Sequence, residues 1–301
     1  MKFSNEEEWH SIRARHIGSS ECAALFGYSR WATAFTLWHA KRSGEVILTP
    51  DNDRMAAGRW LEPVIAQWAA ATKGWAVEKC GVYLTHPTIE GMGASLDYYI
   101  HDPVRGPGIL ECKNVDWLQW KEHWTETRIP RDIAVQVQHQ YACTGFAHGA
   151  VACLVGGNDL RIYPTAPDAD SIAAIEMRVS EFWASIRAGK EPQPVGVPAE
   201  ADFLRRLYPA VEEGEPIAAN DDFELAETAR LMRWAAEQRL VHERTQEACR
   251  VKLAARMGEA TLLLLPGAGV RRKKHGKGVR FEVFDREGAD DFWNTIKDMG
   301  A

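Results

Sequence analysis

Two short segments hold the residue types that phosphodiester hydrolysis needs. In LECKN (residues 110–114) Glu111 and Lys113 are two positions apart, and in SLDYY (residues 95–99) Asp97 sits between apolar and aromatic neighbours. Side chains at i and i+2 of a strand share a face, so Glu111 and Lys113 point the same way. Asp97, on an adjacent strand, meets them across the ladder. Two carboxylates and an ammonium on one patch of sheet are poor for stability but useful for chemistry. Carboxylate oxygens bind hard divalent cations. Such a cation offers Lewis acidity and an activated water, while the lysine orients that water or neutralises developing charge. Alternating charge on a solvated strand also produces an isolated ExK. The upstream aspartate and the apolar flanks add weight to the chemical reading and leave both open.

The surrounding pattern predicts the elements that must position these groups. Strands are expected over 80–84, 92–100 and 108–114, the last two joined as a hairpin through the Pro- and Gly-containing turn at 101–108. Helices are expected over 6–12, from Ser19 or Ser20 as N-cap to Phe26 before Gly27, and over 33–41 before Gly44. A longer helix spans 55–72, where Pro63 places the regular start close to Glu62. Residues 130–144 return to helix, 149–155 and 159–163 form a second hairpin, and 171–188 are helical. A proline-rich acidic stretch, 192–216, reads as a linker. Beyond it, 222–257 lacks both Gly and Pro and predicts one long helix or two. Short strands follow at 261–265, 270–274 and 279–284. The basic run RRKKHGKGVR (residues 271–280) fits a solvated hairpin tip or a DNA-backbone contact, and the sequence favours neither.

Composition narrows the class. With 301 residues, 46% hydrophobic and 26% charged, the chain can bury a substantial core, which excludes a disordered, collagen-like or disulfide-dominated protein. The net charge of −6 argues against an indiscriminate nucleic-acid coat, yet leaves room for an enzyme that confines positive charge to a groove. Six scattered cysteines without a CxxC pair read as reduced thiols, and the start lacks an apolar signal region, so a cytoplasmic location is expected. His10, His16 and His139 fall in no metal-ligand spacing and are read as ordinary polar positions.

The order of motifs resembles a known family. Asp97 followed by Glu111-Cys112-Lys113 looks like the active-site signature of the PD-(D/E)XK nuclease superfamily. More narrowly, WHSIRARHIGSSECAALFG (residues 9–27), GRWLEP (58–63), LDYYI, LECKN and IPRDIAVQVQHQYACTG (129–145) are similar in order to the phage lambda exonuclease and YqaJ-type viral recombinase family. The resemblance covers about residues 9–165. It implies an α/β (α+β) restriction-endonuclease-like core over 1–200, a central mixed sheet flanked by helices, and a linker with a helix and β-hairpin extension over 201–301. It further implies that Asp97, Glu111 and the Cys112 backbone carbonyl bind Mg2+, with Mn2+ as a substitute, and that Glu62 adds a carboxylate directly or through water. Lys113 becomes the catalytic lysine, and Gln136 supports that lysine or the scissile phosphate. Arg13 and Ser20 become a pocket for a terminal 5′-phosphate, in keeping with the affinity of guanidinium and hydroxyl donors for phosphate.

The implied activity is Mg2+-dependent, 5′ to 3′ resection of double-stranded DNA ends in phage-type recombination, inside a bacterial host. The implied partners are duplex DNA ends, a single-strand annealing protein and copies of the chain itself, a trimer first, with no membrane. An endonuclease or nickase of the same superfamily, and a catalytically silent DNA-binding scaffold, are the alternatives. The intact Asp97, Glu111 and Lys113 weigh against the scaffold.

Overall fold

Strand β6 (Gly149–Val155) is buried at every position and is therefore an interior strand of its sheet, covered on both faces. The computed structural model describes residues 5–44, 52–208, 217–276 and 278–286. Around β6 runs a five-stranded sheet of order β1-β4-β5-β6-β7, with β1 at Ala76–Lys79, β4 at Tyr98–Asp102, β5 at Gly106–Val115 and β7 at Asp159–Thr165. The β5–β6 pair is parallel and all others are antiparallel, so the sheet is mixed. A parallel pair needs a crossover. Here it contains helices α5 (Trp117–His123) and α6 (Arg131–Thr144).

The period-2 alternation of β5 and β6 divides the core in two. One face carries Leu110, Ala150, Ala152 and Leu154 against Ile65, Ala66 and Ala69 of helix α4 (Asp53–Lys73). The other carries Ile109, Val151, Cys153 and Val155 against Val137 and Tyr141 of α6. Behind α6 lies a further layer, α1 (Glu6–Ala14), α2 (Ser19–Cys22), a 3-10 turn (Ala23–Phe26), α3 (Ala34–Ser43) and α7 (Ala169–Arg187), whose core includes Ile17, Trp38, Ile175 and Val179.

Several local expectations change. The strand expected at 80–84 survives only at its end, in β2 (Tyr83–Thr85), and 92–100 is split between β3 (Gly93–Ser95) and β4. β2 and β3 pair with each other as a separate two-stranded ribbon, so the chain bends at Asp97 between two sheets. Helix α4 begins at Asp53, capped by the Asn52 side chain on the Met55 N–H, and Pro63 lies in its interior rather than its first turn. Gly18, not Ser19 or Ser20, is the N-cap of α2.

The linker expected at 192–216 contains helix α8 (Pro198–Leu207), and 209–216 lie outside the described residues. α8 is tied to α3 by buried Glu200, which accepts from the Thr33 hydroxyl at 2.7 Å and from the Val195 and Gly196 N–H groups at 2.9 and 2.7 Å. The chain divides into compact units at 212/213.

The second unit, described by itself, holds helix α9 (Phe223–Met257) and an antiparallel sheet β8 (Leu262–Leu265), β9 (Ala268–His275) and β10 (Gly278–Asp285). The basic run lies on the β9–β10 hairpin, where Arg271 stacks on Phe284 and Lys273 pairs with Glu282 at 2.7 Å. Lys277 lies outside the described residues. No helix among the described residues is long and apolar enough to cross a membrane.

Candidate active site

Strand β5 presents Glu111 and Lys113 to α6, while Cys112 points its side chain into the α4 face. α6 answers with Gln136 and Gln140, four residues apart and therefore on one stripe of the helix. Lys113 Nζ donates to Glu111 Oε1 at 2.7 Å and to Gln136 Oε1 at 3.0 Å. Gln136 Nε2 donates to the same Glu111 oxygen at 2.6 Å. Gln140 Nε2 donates to Glu111 Oε2, also at 2.6 Å. The carboxylate is only 2% exposed, so these donors replace the water it has lost.

Asp97 reaches the group from the bend before β4. Its Oδ2 accepts from the Cys112 backbone N–H at 2.8 Å. The N–H and C=O of one strand residue point to the same side, which directs the Cys112 carbonyl toward Asp97 as well. Burial, followed by the charge of Glu111, drives the Asp97 carboxyl well above the ordinary aspartate range, against the pull of Lys113 and the Cys112 N–H. Burial opposes the charge on Lys113, but Glu111 and Asp97 outweigh it and hold the ammonium above its usual pKa. Asp97, whose charge Glu111 disfavours, forms with Glu111 and the carbonyl an oxygen donor set that a divalent cation would relieve. The set fits Mg2+, which binds through one or two carboxylates and keeps several waters.

Glu62 has a partner outside this set. It pairs with Lys79 at 3.1 Å, though its charge still adds to the raising of Asp97. Among the described residues no group of three His, Cys, Asp or Glu side chains gathers as a metal cluster.

A cavity of about 190 Å³ opens beside Asp97 and Gln136, and its wall carries Arg13, Ser19, Ser20 and Ser95. The predicted phosphate residues and part of the predicted hydrolytic site thus share one hollow. Its placement depends on the segment after α1. Ile17 N–H donates to Gly91 O at 2.7 Å, and Trp183 Nε1 donates to the same oxygen at 2.8 Å. Gly91 has φ +73°, and a Cβ there would lie 2.2 Å from Trp183 Nε1, so only glycine lets this anchor form.

Arg13 stacks on Trp9 at 4.5 Å, and Trp9 Nε1 donates to Ser95 Oγ at 3.0 Å. Glu21, the carboxylate that pairs with Arg13, is already engaged. It accepts from buried Lys41 at 2.9 Å and from the Gly18 N–H at 2.9 Å, and stands 3.8 Å from the guanidinium. The Arg13 guanidinium keeps donors for an anion. Ser20 is exposed and Ser19 buried, both in the first turn of α2.

Ser19, Ser95, Trp9 and Gln140 carry no signal in the sequence motifs that marks them as site residues, with one exception. QVQHQ on a helix puts Gln136 and Gln140 on one face, so Gln140 was readable. The middle glutamine, Gln138, is turned elsewhere and ties down the start of α7, accepting from the Asp168 N–H at 2.9 Å.

Residues 8–147 match the YqaJ-like viral recombinase domain. The YqaJ protein of Bacillus subtilis (strain 168) is 28% identical over 216 residues, a match covering 71% of this chain and 66% of that protein's own length. Among solved structures, LHK-Exo in complex with dAMP is 24% identical with a TM-score of 0.49, covering 67% of this chain and 97% of that one. LHK-Exo is an alkaline exonuclease from Laribacter hongkongensis. A second, described as an exonuclease from Eubacterium rectale, is 11% identical with a TM-score of 0.44, over 73% of this chain and 98% of that one.

Proposed function

For a chain whose residues 8–147 match a YqaJ-like viral recombinase domain, we propose a divalent-metal-dependent nuclease that degrades duplex DNA 5′ to 3′ from phosphorylated ends. The single observation behind this reading is the cavity that joins Arg13, Ser19, Ser20 and Ser95 to Asp97 and Gln136. An anion grip beside a carboxylate cluster suits a strand whose terminal phosphate is held while a neighbouring phosphodiester is cut.

Asp97, Glu111 and the Cys112 carbonyl would hold Mg2+, or Mn2+ in its place. The bound cation supplies Lewis acidity at the phosphodiester and lowers the pKa of water. Lys113, fixed between Glu111 and Gln136, directs its remaining donor at the attacking water or at a phosphate oxygen where negative charge develops. Gln136 keeps the lysine pointed. Glu62, paired with Lys79 and already acting on Asp97 through its charge, would add its carboxylate to the metal site directly or through water. Arg13 gives the 5′-phosphate charge-assisted hydrogen bonds, and the seryl hydroxyls meet the remaining oxygens. α2 is only four residues long, so the guanidinium and hydroxyls, not a helix dipole, carry the grip.

Duplex DNA ends are the partner that this chemistry recognises. A homotrimer encircling the duplex, handing its single-stranded product to an annealing protein in a bacterial cytoplasm, completes the proposal. The test is digestion of linear and circular duplex DNA with Mg2+, end-labelled on either strand. Mononucleotides released from linear DNA at its 5′ ends are the expected result. Cut circles would replace the exonuclease reading with an endonuclease.

A further inference from the structure

Three donors meet the two oxygens of Glu111, and they are unevenly shared. Oε1 takes Lys113 Nζ at 2.7 Å and Gln136 Nε2 at 2.6 Å. Oε2 takes Gln140 Nε2 at 2.6 Å and no other donor among the described residues. Gln140 is itself fully buried, and its Nε2 also donates to the Ser95 carbonyl at 3.3 Å. Two acceptors facing one end of the amide settle its orientation, because turning it over would set an amide oxygen against a carboxylate and a carbonyl. The cost of this orientation is visible. Gln140 Oε1 is buried, with no hydrogen-bond partner among the described residues. A buried amide oxygen left unpaired is expensive, so the bond made by its other end must outweigh it.

We infer that Gln140 is a positioning residue for metal binding: it holds Oε2 of Glu111, and so sets the plane in which the carboxylate faces Asp97. Lys113 and Gln136 both pull on Oε1 and leave rotation about the Glu111 side-chain axis unopposed. Gln140 supplies the opposing contact from the next turn of the same helix. Its second bond, to Ser95, links that orientation to the wall of the phosphate cavity. The inference rests on the nuclease reading and adds to it a residue that touches neither substrate nor metal.

The test measures ion binding directly, by calorimetric titration of the full chain with Mn2+ and with Mg2+, beside the Mg2+ dependence of cleavage of a linear 5′-phosphorylated duplex. Gln140→Met keeps the length and bulk of the side chain but has no donor. It is expected to weaken binding of both ions about tenfold and to move the Mg2+ midpoint of cleavage by the same factor, with a smaller effect on rate at saturating Mg2+. Affinity for the 5′-phosphorylated duplex in EDTA should stay unchanged, which a general loosening of the fold would not allow. A variant that melts lower but binds both ions as the unaltered protein does would overturn the inference. If Gln140→Met does not fold, Gln140→Asn withdraws the amide by one methylene, and carries the same expectation and the same refutation. An unaltered protein that binds neither ion and cuts no DNA is a different failure, that of the nuclease reading itself.

Discussion

The sheet face at β5 and the helix α9 use the same residue types to opposite ends. In the first unit, Glu111 is 2% exposed and its charge is met by Lys113, Gln136 and Gln140. In the second, Glu227–Arg230, Arg233–Glu237 and Glu247–Arg250 are paired at helical spacing along a solvated surface. Exposed pairs of that kind are screened by water and ions and are individually dispensable. A buried carboxylate has no such substitute, and removing one of its partners leaves charge stranded in a low-dielectric setting. Acidic and basic residues therefore mark chemistry by what surrounds them, not by their number.

The contrast between the two regions meets its most severe test at the buried network. Asp97→Ala, Glu111→Ala and Lys113→Ala should each lower cleavage by about a hundredfold or more, read as product release from linear duplex under saturating Mg2+. Glu111→Ala should also weaken Mn2+ binding by calorimetry, while Lys113→Ala leaves it nearly intact. Full activity in any of the three would return the β5 face to the same standing as α9.

A smaller effect is expected at the phosphate cavity. Unaltered protein should degrade 5′-phosphorylated ends roughly ten- to a hundredfold faster than 5′-hydroxyl ends, from the loss of a hydrogen bond to a charged group. Arg13→Ala should remove most of that preference without changing Mn2+ affinity. Equal rates on both ends for the unaltered protein would show Arg13 to be an ordinary surface charge.

Next comes pH. His139 is fully buried against the Gly93 carbonyl, and burial lowers its pKa from 6.5 to about 4. The unfolded chain then binds a proton that the folded chain refuses, so stability falls as pH drops from about 6.5 towards 4. The full effect is on the order of 3 kcal/mol at the 1.36 kcal/mol per pKa unit of linkage. Urea midpoints across this range should follow that fall in the unaltered protein and flatten in His139→Gln. Parallel slopes for the two would remove His139 as the cause. Least of all should change on α9, where Arg250→Ala is expected to leave the unfolding midpoint unmoved. A clear drop there would show that α9 is not the dispensable surface described above.

Much of the fold and site is legible because it is local. The period-2 rule alone sets Glu111 and Lys113 on one face, and Gly27 and Gly44 end their elements as expected, in left-handed backbone. The Asn52 cap is masked in the sequence by Pro63, which argues for a later start of α4. One interior proline removes only one hydrogen bond from a helix whose Leu61, Ile65, Ala66 and Ala69 pack on β5 and β6. The split of 92–100 into two strands is hidden for a different reason. The stretch reads as a single strand, and only the partners, β2 for one half and β1 and β5 for the other, force the bend at Asp97.

Which residues could do chemistry follows from side-chain type, strand alternation and helix spacing, all of which act within a few residues and are written in the sequence. Tertiary structure decided the rest. It joined Arg13 and Ser20 to Asp97 in one cavity, paired Glu62 with Lys79, and aimed Gln140 at Glu111. Each of those contacts joins segments distant in sequence or depends on which side of the sheet a helix packs. Such choices are made by the shared burial of apolar faces, which no local pattern specifies.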